Sequence, residues 1–67
     1  MTGPEVVRKL QKLGFVVDHM TGSHVILIGP NGQRAVVPVH GARDLRRGTL
    51  HAICKQAGVT EEQMRRL

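Results

Sequence analysis

Val25-Ile26-Leu27-Ile28-Gly29-Pro30-Asn31-Gly32-Gln33-Arg34-Ala35-Val36-Val37-Pro38-Val39 is the stretch that decides the fold. Two apolar, β-branched segments, 25–28 and 35–39, flank a turn signal at 29–32. In that signal, Asn-Gly tolerates the positive backbone angles that tight hairpins need. Pro38 has no N–H to give to a ladder, which argues for an edge position or a frayed strand end. Upstream, Phe15-Val16-Val17-Asp18-His19-Met20 reads as a further strand, broken at Thr21-Gly22. Three strands in succession with short connections predict an antiparallel sheet.

Helices bracket the sheet on both sides. Thr2 suits an N-cap, Pro4 a first turn, and Glu5 stands at capping-box spacing. Val6, Leu10 and Leu13, with Val7 beside them, recur at helical intervals, and Gly14 supplies a stop. After the polar loop 40–48, a second helix is expected over 49–57, with Leu50, Ile53, Cys54 and Ala57 as its inner stripe and Gly58 as its end. Thr60-Glu61-Glu62-Gln63 repeats the capping-box pattern, predicting a short third helix docked through Met64 and Leu67. The expected architecture is a single α+β domain over 1–67, in α-β-β-β-α order. It has two layers, a three-stranded antiparallel sheet with its helices packed on one face.

Composition narrows the function classes. At 67 residues the chain has room for one domain and no deep cleft. A single cysteine, Cys54, forms no internal disulfide and no zinc knuckle, and its place on an apolar face reads as core filler. No apolar run reaches the roughly 18 residues of a membrane span, and no signal-peptide core is present, so a cytoplasmic location is expected. The net charge of +5 is uneven, with +1 over residues 1–33 and +4 over 34–67. An arginine-weighted domain suits a phosphate-bearing partner, although net charge also serves plain solubility. The strands are apolar on both faces, with Val25 and Leu27 pointing one way and Ile26 and Ile28 the other. That pattern fits either a protein partner on one sheet face or a tightly packed strand.

Three stretches carry a resemblance. They are Lys12-Leu13-Gly14-Phe15; Gly22-Ser23-His24; and Val37-Pro38-Val39-His40-Gly41, followed by Asp44-Leu45, Gly48-Thr49-Leu50, Ile53 and Lys55-Gln56-Ala57-Gly58. Each alone is weak, but their order and spacing from about Val6 to Gln63 closely resemble the HicA family of mRNA interferase toxins. The resemblance implies a fold similar to the double-stranded-RNA-binding domain and ribonuclease activity on mRNA that stops translation and growth. It also implies a HicB-type antitoxin as partner. The family's catalytic histidine lies in the Gly-Ser-His motif, which maps onto His24.

The chemistry of the residues agrees. RNA carries its own nucleophile, the 2′-hydroxyl, so the protein need only move protons and stabilise charge on the phosphate. Histidine is the natural proton mover near neutral pH. Emerging from a turn into a strand, His24 is expected to be held firmly yet near solvent, as general acid or base. A buried structural histidine is the plain alternative. A second proton carrier could be water, the substrate or another histidine. His40 is the best auxiliary by its place in the motif, although a loop histidine often only bonds backbone. His51 and His19 read as ordinary surface positions.

Arg46 and Arg47, before the second helix, are expected to contact RNA phosphate beside the helix N-terminus, with Lys55 extending the track. Arg43 could instead pair with Asp44. Ser23 could donate to a phosphate oxygen or cap its own turn. No carboxylate pair or His/Cys cluster suggests a metal, and 2′-hydroxyl attack needs neither metal nor cofactor. The only aromatic residue, Phe15, reads as core, so base stacking is absent and weak sequence selectivity is expected. The rival reading is a non-catalytic RNA-binding module of the same fold. It is weakened because Gly48-Thr49-Leu50-His51 stands where such modules carry a lysine cluster.

Overall fold

Strands β1 (Val16–Thr21), β2 (His24–Ile28) and β3 (Arg34–Pro38) form one antiparallel sheet in the order β1-β2-β3. The structure is a computed structural model and describes residues 1–67. Helix α1 (Gly3–Lys12) precedes the sheet, and α2 (Arg47–Ala57) and α3 (Glu61–Arg66) follow it. The expected α-β-β-β-α order and double-stranded-RNA-binding-like architecture are both present, with α3 appended. No helix is long and apolar enough to cross a membrane.

The helices begin and end where their caps dictate. The Thr2 hydroxyl accepts from the Glu5 N–H at 3.2 Å. The reciprocal half of that capping box does not form, because the hydroxyl instead meets the Glu5 carboxylate. At α3 the box is complete, with Thr60 and Gln63 satisfying each other's N–H groups. Helix α1 closes through Gly14, at φ 92°, with Gly14 N–H bonding Gln11 O and Phe15 N–H bonding Leu10 O. That pair of bonds is the Schellman closure, and Leu10 and Phe15 then meet in the core. Gly58 ends α2 the same way, with Val59 N–H reaching Cys54 O. Helix α2 starts at Arg47, two residues ahead of the expected Thr49, so Arg46 is its N-cap and Arg47, expected before the helix, is its first residue.

Strand alternation divides the sheet. Val25 and Leu27 of β2 with Ala35 and Val37 of β3 face the helices, joining Val6 and Leu10 of α1 and Leu50, Ile53, Cys54 and Ala57 of α2 in one core. Met64 of α3 is fully buried in the same cluster. Each of the valine, leucine, isoleucine and methionine side chains among them contributes roughly 1.5–3 kcal/mol on burial, which a chain this small needs. Gly3 sits so close to β3 that a Cβ there would overlap the Pro38 carbonyl oxygen, locking α1 onto the strand's end.

The other sheet face carries no helix. There, His24, Ile26 and Ile28 lie beside Arg34, Val36 and Pro38 of β3. Ile26 is nevertheless only 4% exposed, because it is flanked on both sides by strands. The exposed apolar surface falls instead on β1, at Val16, Val17 and Met20. Between Val17 and His19 the β1–β2 register shifts by one residue, a bulge that inserts Asp18.

The 29–33 connection differs in detail from a two-residue Asn-Gly turn. Gly29 exchanges with Gln33 through Gly29 N–H to Gln33 O, and Gly32 N–H bonds Gly29 O. Only Gly32 takes a positive φ, 79°. Pro30, Asn31 and Gly32 therefore form a three-residue loop, a type I turn closed by a left-handed glycine.

Candidate active site

A two-residue turn, Gly22-Ser23, delivers His24 to the central strand. Gly22 has φ 58° and Ser23 has none of that left-handed character, the requirement of a II′ turn. Thr21 then faces His24 on one side and Pro38 faces it on the other. Ser23 O accepts from Val39 N–H at 2.7 Å, carrying the ladder one step past Pro38. The backbone of His24 is thus gripped on both sides. Its ring is exposed on the helix-free face and engages in none of the side-chain hydrogen bonds or ion pairs of the structure.

Beyond Pro38 the sheet gives way to a cavity of about 350 Å³, lined by Pro38, His40, Arg43, Asp44, Leu45, Arg46 and Thr49. It lies at the start of α2, whose N-cap, Arg46, offers no side-chain acceptor to the first-turn N–H groups. Those groups and the arginines give the cavity a positive character suited to an anion. Asp44 does not neutralise Arg43. Its carboxylate takes the Met1 ammonium at 3.0 Å, while Leu45 N–H bonds Met1 O, so the cavity loop is tied to the start of α1. Asp18 and Glu62 are also engaged, with His19 and Arg66 respectively, and no carboxylate pairs with Arg43, Arg46, Arg47 or Lys55.

The residues singled out in the sequence do not all converge. Arg46 and His40 line the cavity, whereas Arg47 and Lys55 do not. Helical spacing explains why: Arg47 and Lys55 lie on the α2 flank turned away from Thr49 and Gln56, and Lys55 is two turns further along, about 12 Å. His51 shares their flank. Pro38 and Thr49 were not foreseen as cavity residues, because only the packing of α2 along β3 brings them together. Cys54 is core filler, and burial pushes its thiol pKa up, Glu61 adding to the shift and Arg65 opposing it. No three His, Cys, Asp or Glu side chains gather closely enough to share a metal ion.

Fold and site together define a small basic α+β domain of the double-stranded-RNA-binding type, with a solvent-facing histidine whose cross-strand partner, Pro38, lines an arginine-bearing cavity. The model of the HicA toxins of bacterial toxin–antitoxin systems matches residues 3–59, and the chain belongs to that family. No curated protein matches it. The matched span runs from the first residue of α1 through the cap of α2 and includes Ser23, His24, Arg46, Arg47 and Lys55; α3 lies outside it.

Proposed function

We propose that this chain is an endoribonuclease toxin that cuts mRNA and so arrests translation and growth in the cytoplasm, with His24 as general acid or base. One observation carries the reading. The ladder-held, exposed imidazole of His24 is a single residue pair from a cavity that presents Arg43 and Arg46. A phosphodiester lying between them would have its charge met by guanidinium groups while a proton moves at His24. Attack by the 2′-oxygen needs no metal and no cofactor. Ser23, Arg47 and Lys55 extend the contact to neighbouring phosphates, and a HicB-type antitoxin covers the site in the resting cell.

Purified protein incubated with RNA in EDTA tests this. Wild-type protein should cleave and a folded His24→Ala variant should not, with growth arrest lost in parallel. Full cleavage by that variant, or RNA binding by the wild type with no cleavage at all, would overturn the proposal. The second result would favour the non-catalytic RNA-binding module.

A further inference from the structure

The extra residue at Asp18 has a consequence for His19. Without a bulge, strict alternation would pair Asp18 with Ile26 and turn His19 toward the helices. With it, His19 pairs with Ile26 and Thr21 with His24, so His19 joins His24 on the helix-free face. The two histidines are diagonal neighbours across β1 and β2, for which backbone separations run about 7–8 Å with the side chains able to reach inward. The displaced Asp18 is not idle. Its Oδ2 lies 2.7 Å from His19 Nδ1, and both side chains are about half exposed. A carboxylate at Nδ1 fixes the tautomer that keeps the proton there, leaving Nε2 with a free lone pair directed away from Asp18.

We infer that His19 is the general base that complements His24, positioned by Asp18, in the RNA cleavage proposed above, on which this assignment rests. His19 Nε2 takes the proton of the 2′-hydroxyl as the 2′-oxygen forms its bond to phosphorus. The bond from phosphorus to the 5′-oxygen breaks, and protonated His24 gives its proton to that departing oxygen. The products are a 2′,3′-cyclic phosphate and a free 5′-hydroxyl. His19 ends protonated and His24 neutral, and exchange with water restores both. Asp18 stabilises the imidazolium formed on His19 and is a positioning residue. The row from Thr21 through His24 ends at Pro38, which also lines the arginine cavity, and His19 lies one diagonal step from His24 on the same face. His40 lines that cavity but sits past the end of β3, and nothing bonds its ring.

The experiment compares wild type, His19→Gln, His24→Ala, His40→Ala and Asp18→Asn on two RNA oligonucleotides, with folding verified for each by circular dichroism. One substrate is ordinary RNA, and the other carries a 5′-bridging sulfur, a leaving group that departs without an acid. On ordinary RNA, His19→Gln and His24→Ala should each lose about 10²–10⁴-fold. On the sulfur substrate His24→Ala should recover and His19→Gln should not. Asp18→Asn should lower kcat with KM unchanged. Near-wild-type cleavage by folded His19→Gln, or a loss shared only by His24→Ala and His40→Ala, overturns the role of His19 and leaves the ribonuclease reading standing. Recovery of His19→Gln on the sulfur substrate overturns the assignment of base and acid. Full cleavage by His24→Ala removes His24 as the acid, and no cleavage by the wild type removes the ribonuclease reading itself.

Discussion

Pro38 faces His24 across the β2–β3 ladder, and its ring nitrogen occupies a position where an N–H would point away from β2. Val36, two residues earlier on the same edge, shows this: its N–H turns outward and donates to Gln56 Oε1 at 3.1 Å. Antiparallel alternation puts the Pro38 nitrogen on the same outward side. The strand that backs His24 thus has one outward donor covered by α2 and one removed by proline, which leaves little for a foreign strand to pair with. The edge stays free for the arginine cavity that begins at Pro38.

Gln56→Ala should therefore act locally. Loss of one partly exposed hydrogen bond costs at most about 1 kcal/mol. The Val36 amide should exchange faster with solvent while the Val37 amide, directed into the ladder, keeps its protection. Equal acceleration of both amides would mean that Gln56 supports the strand as a whole rather than its outward donor.

Salt dependence separates the cations. Arg43 and Arg46 line the cavity; Arg47 and Lys55 lie on the far flank of α2. Arg43→Ala and Arg46→Ala should each weaken RNA binding and flatten the plot of log affinity against log salt by about one phosphate's worth. Arg47→Ala and Lys55→Ala should change the slope less. A larger effect from the latter pair would relocate the RNA track to the His51 side of α2.

Much of this architecture was legible because it is local. Thr2, Gly14, Gly58 and Thr60 act through bonds to residues three to five positions away, so the helices could be placed from spacing alone. The exposed place of His24 at the head of β2 was legible from the turn before it. The bulge at Asp18 was not, because a register shift is a property of two strands and β1 has no strong alternation of its own to betray it. His19 consequently read as an ordinary surface residue. The cavity was hidden for a related reason: Pro38 and Thr49 meet only once α2 lies along β3. Of the two readings of the apolar strand β2, the tightly packed one holds, since β2 is central and its neighbours shelter Ile26; the exposed apolar surface lies on the edge strand, at Val16, Val17 and Met20.

Cys54 offers a probe of the core that is independent of RNA. Its thiol is buried and held above its ordinary pKa, chiefly by burial. The folded state therefore keeps this proton at pH values where the unfolded chain releases it. The contribution to stability is complete below the ordinary thiol range and declines as pH rises through it. At neutral pH, alkylation by iodoacetamide should be slow in buffer and rapid in urea. Comparable rates in the two conditions would contradict the close packing of α2 on the sheet.

Met64 decides whether α3 belongs to the cooperative fold. The helix has only six residues and lies outside the span shared with the family, and a helix that short does not persist in water unaided. Yet Met64 is fully buried against the core, and Lys9 of α1 donates to the Arg65 and Leu67 carbonyls at 3.1 and 3.0 Å. Truncating a buried methionine costs about 2–5 kcal/mol, a large share of the roughly 5–15 kcal/mol that holds an ordinary domain together. Met64→Ala should accordingly lower the urea midpoint sharply or leave the chain unfolded. Glu62→Ala breaks only an exposed pair with Arg66 and should cost a few tenths of a kcal/mol at most. If both variants unfold at the wild-type midpoint, α3 is an appendage and the sheet, α1 and α2 fold without it.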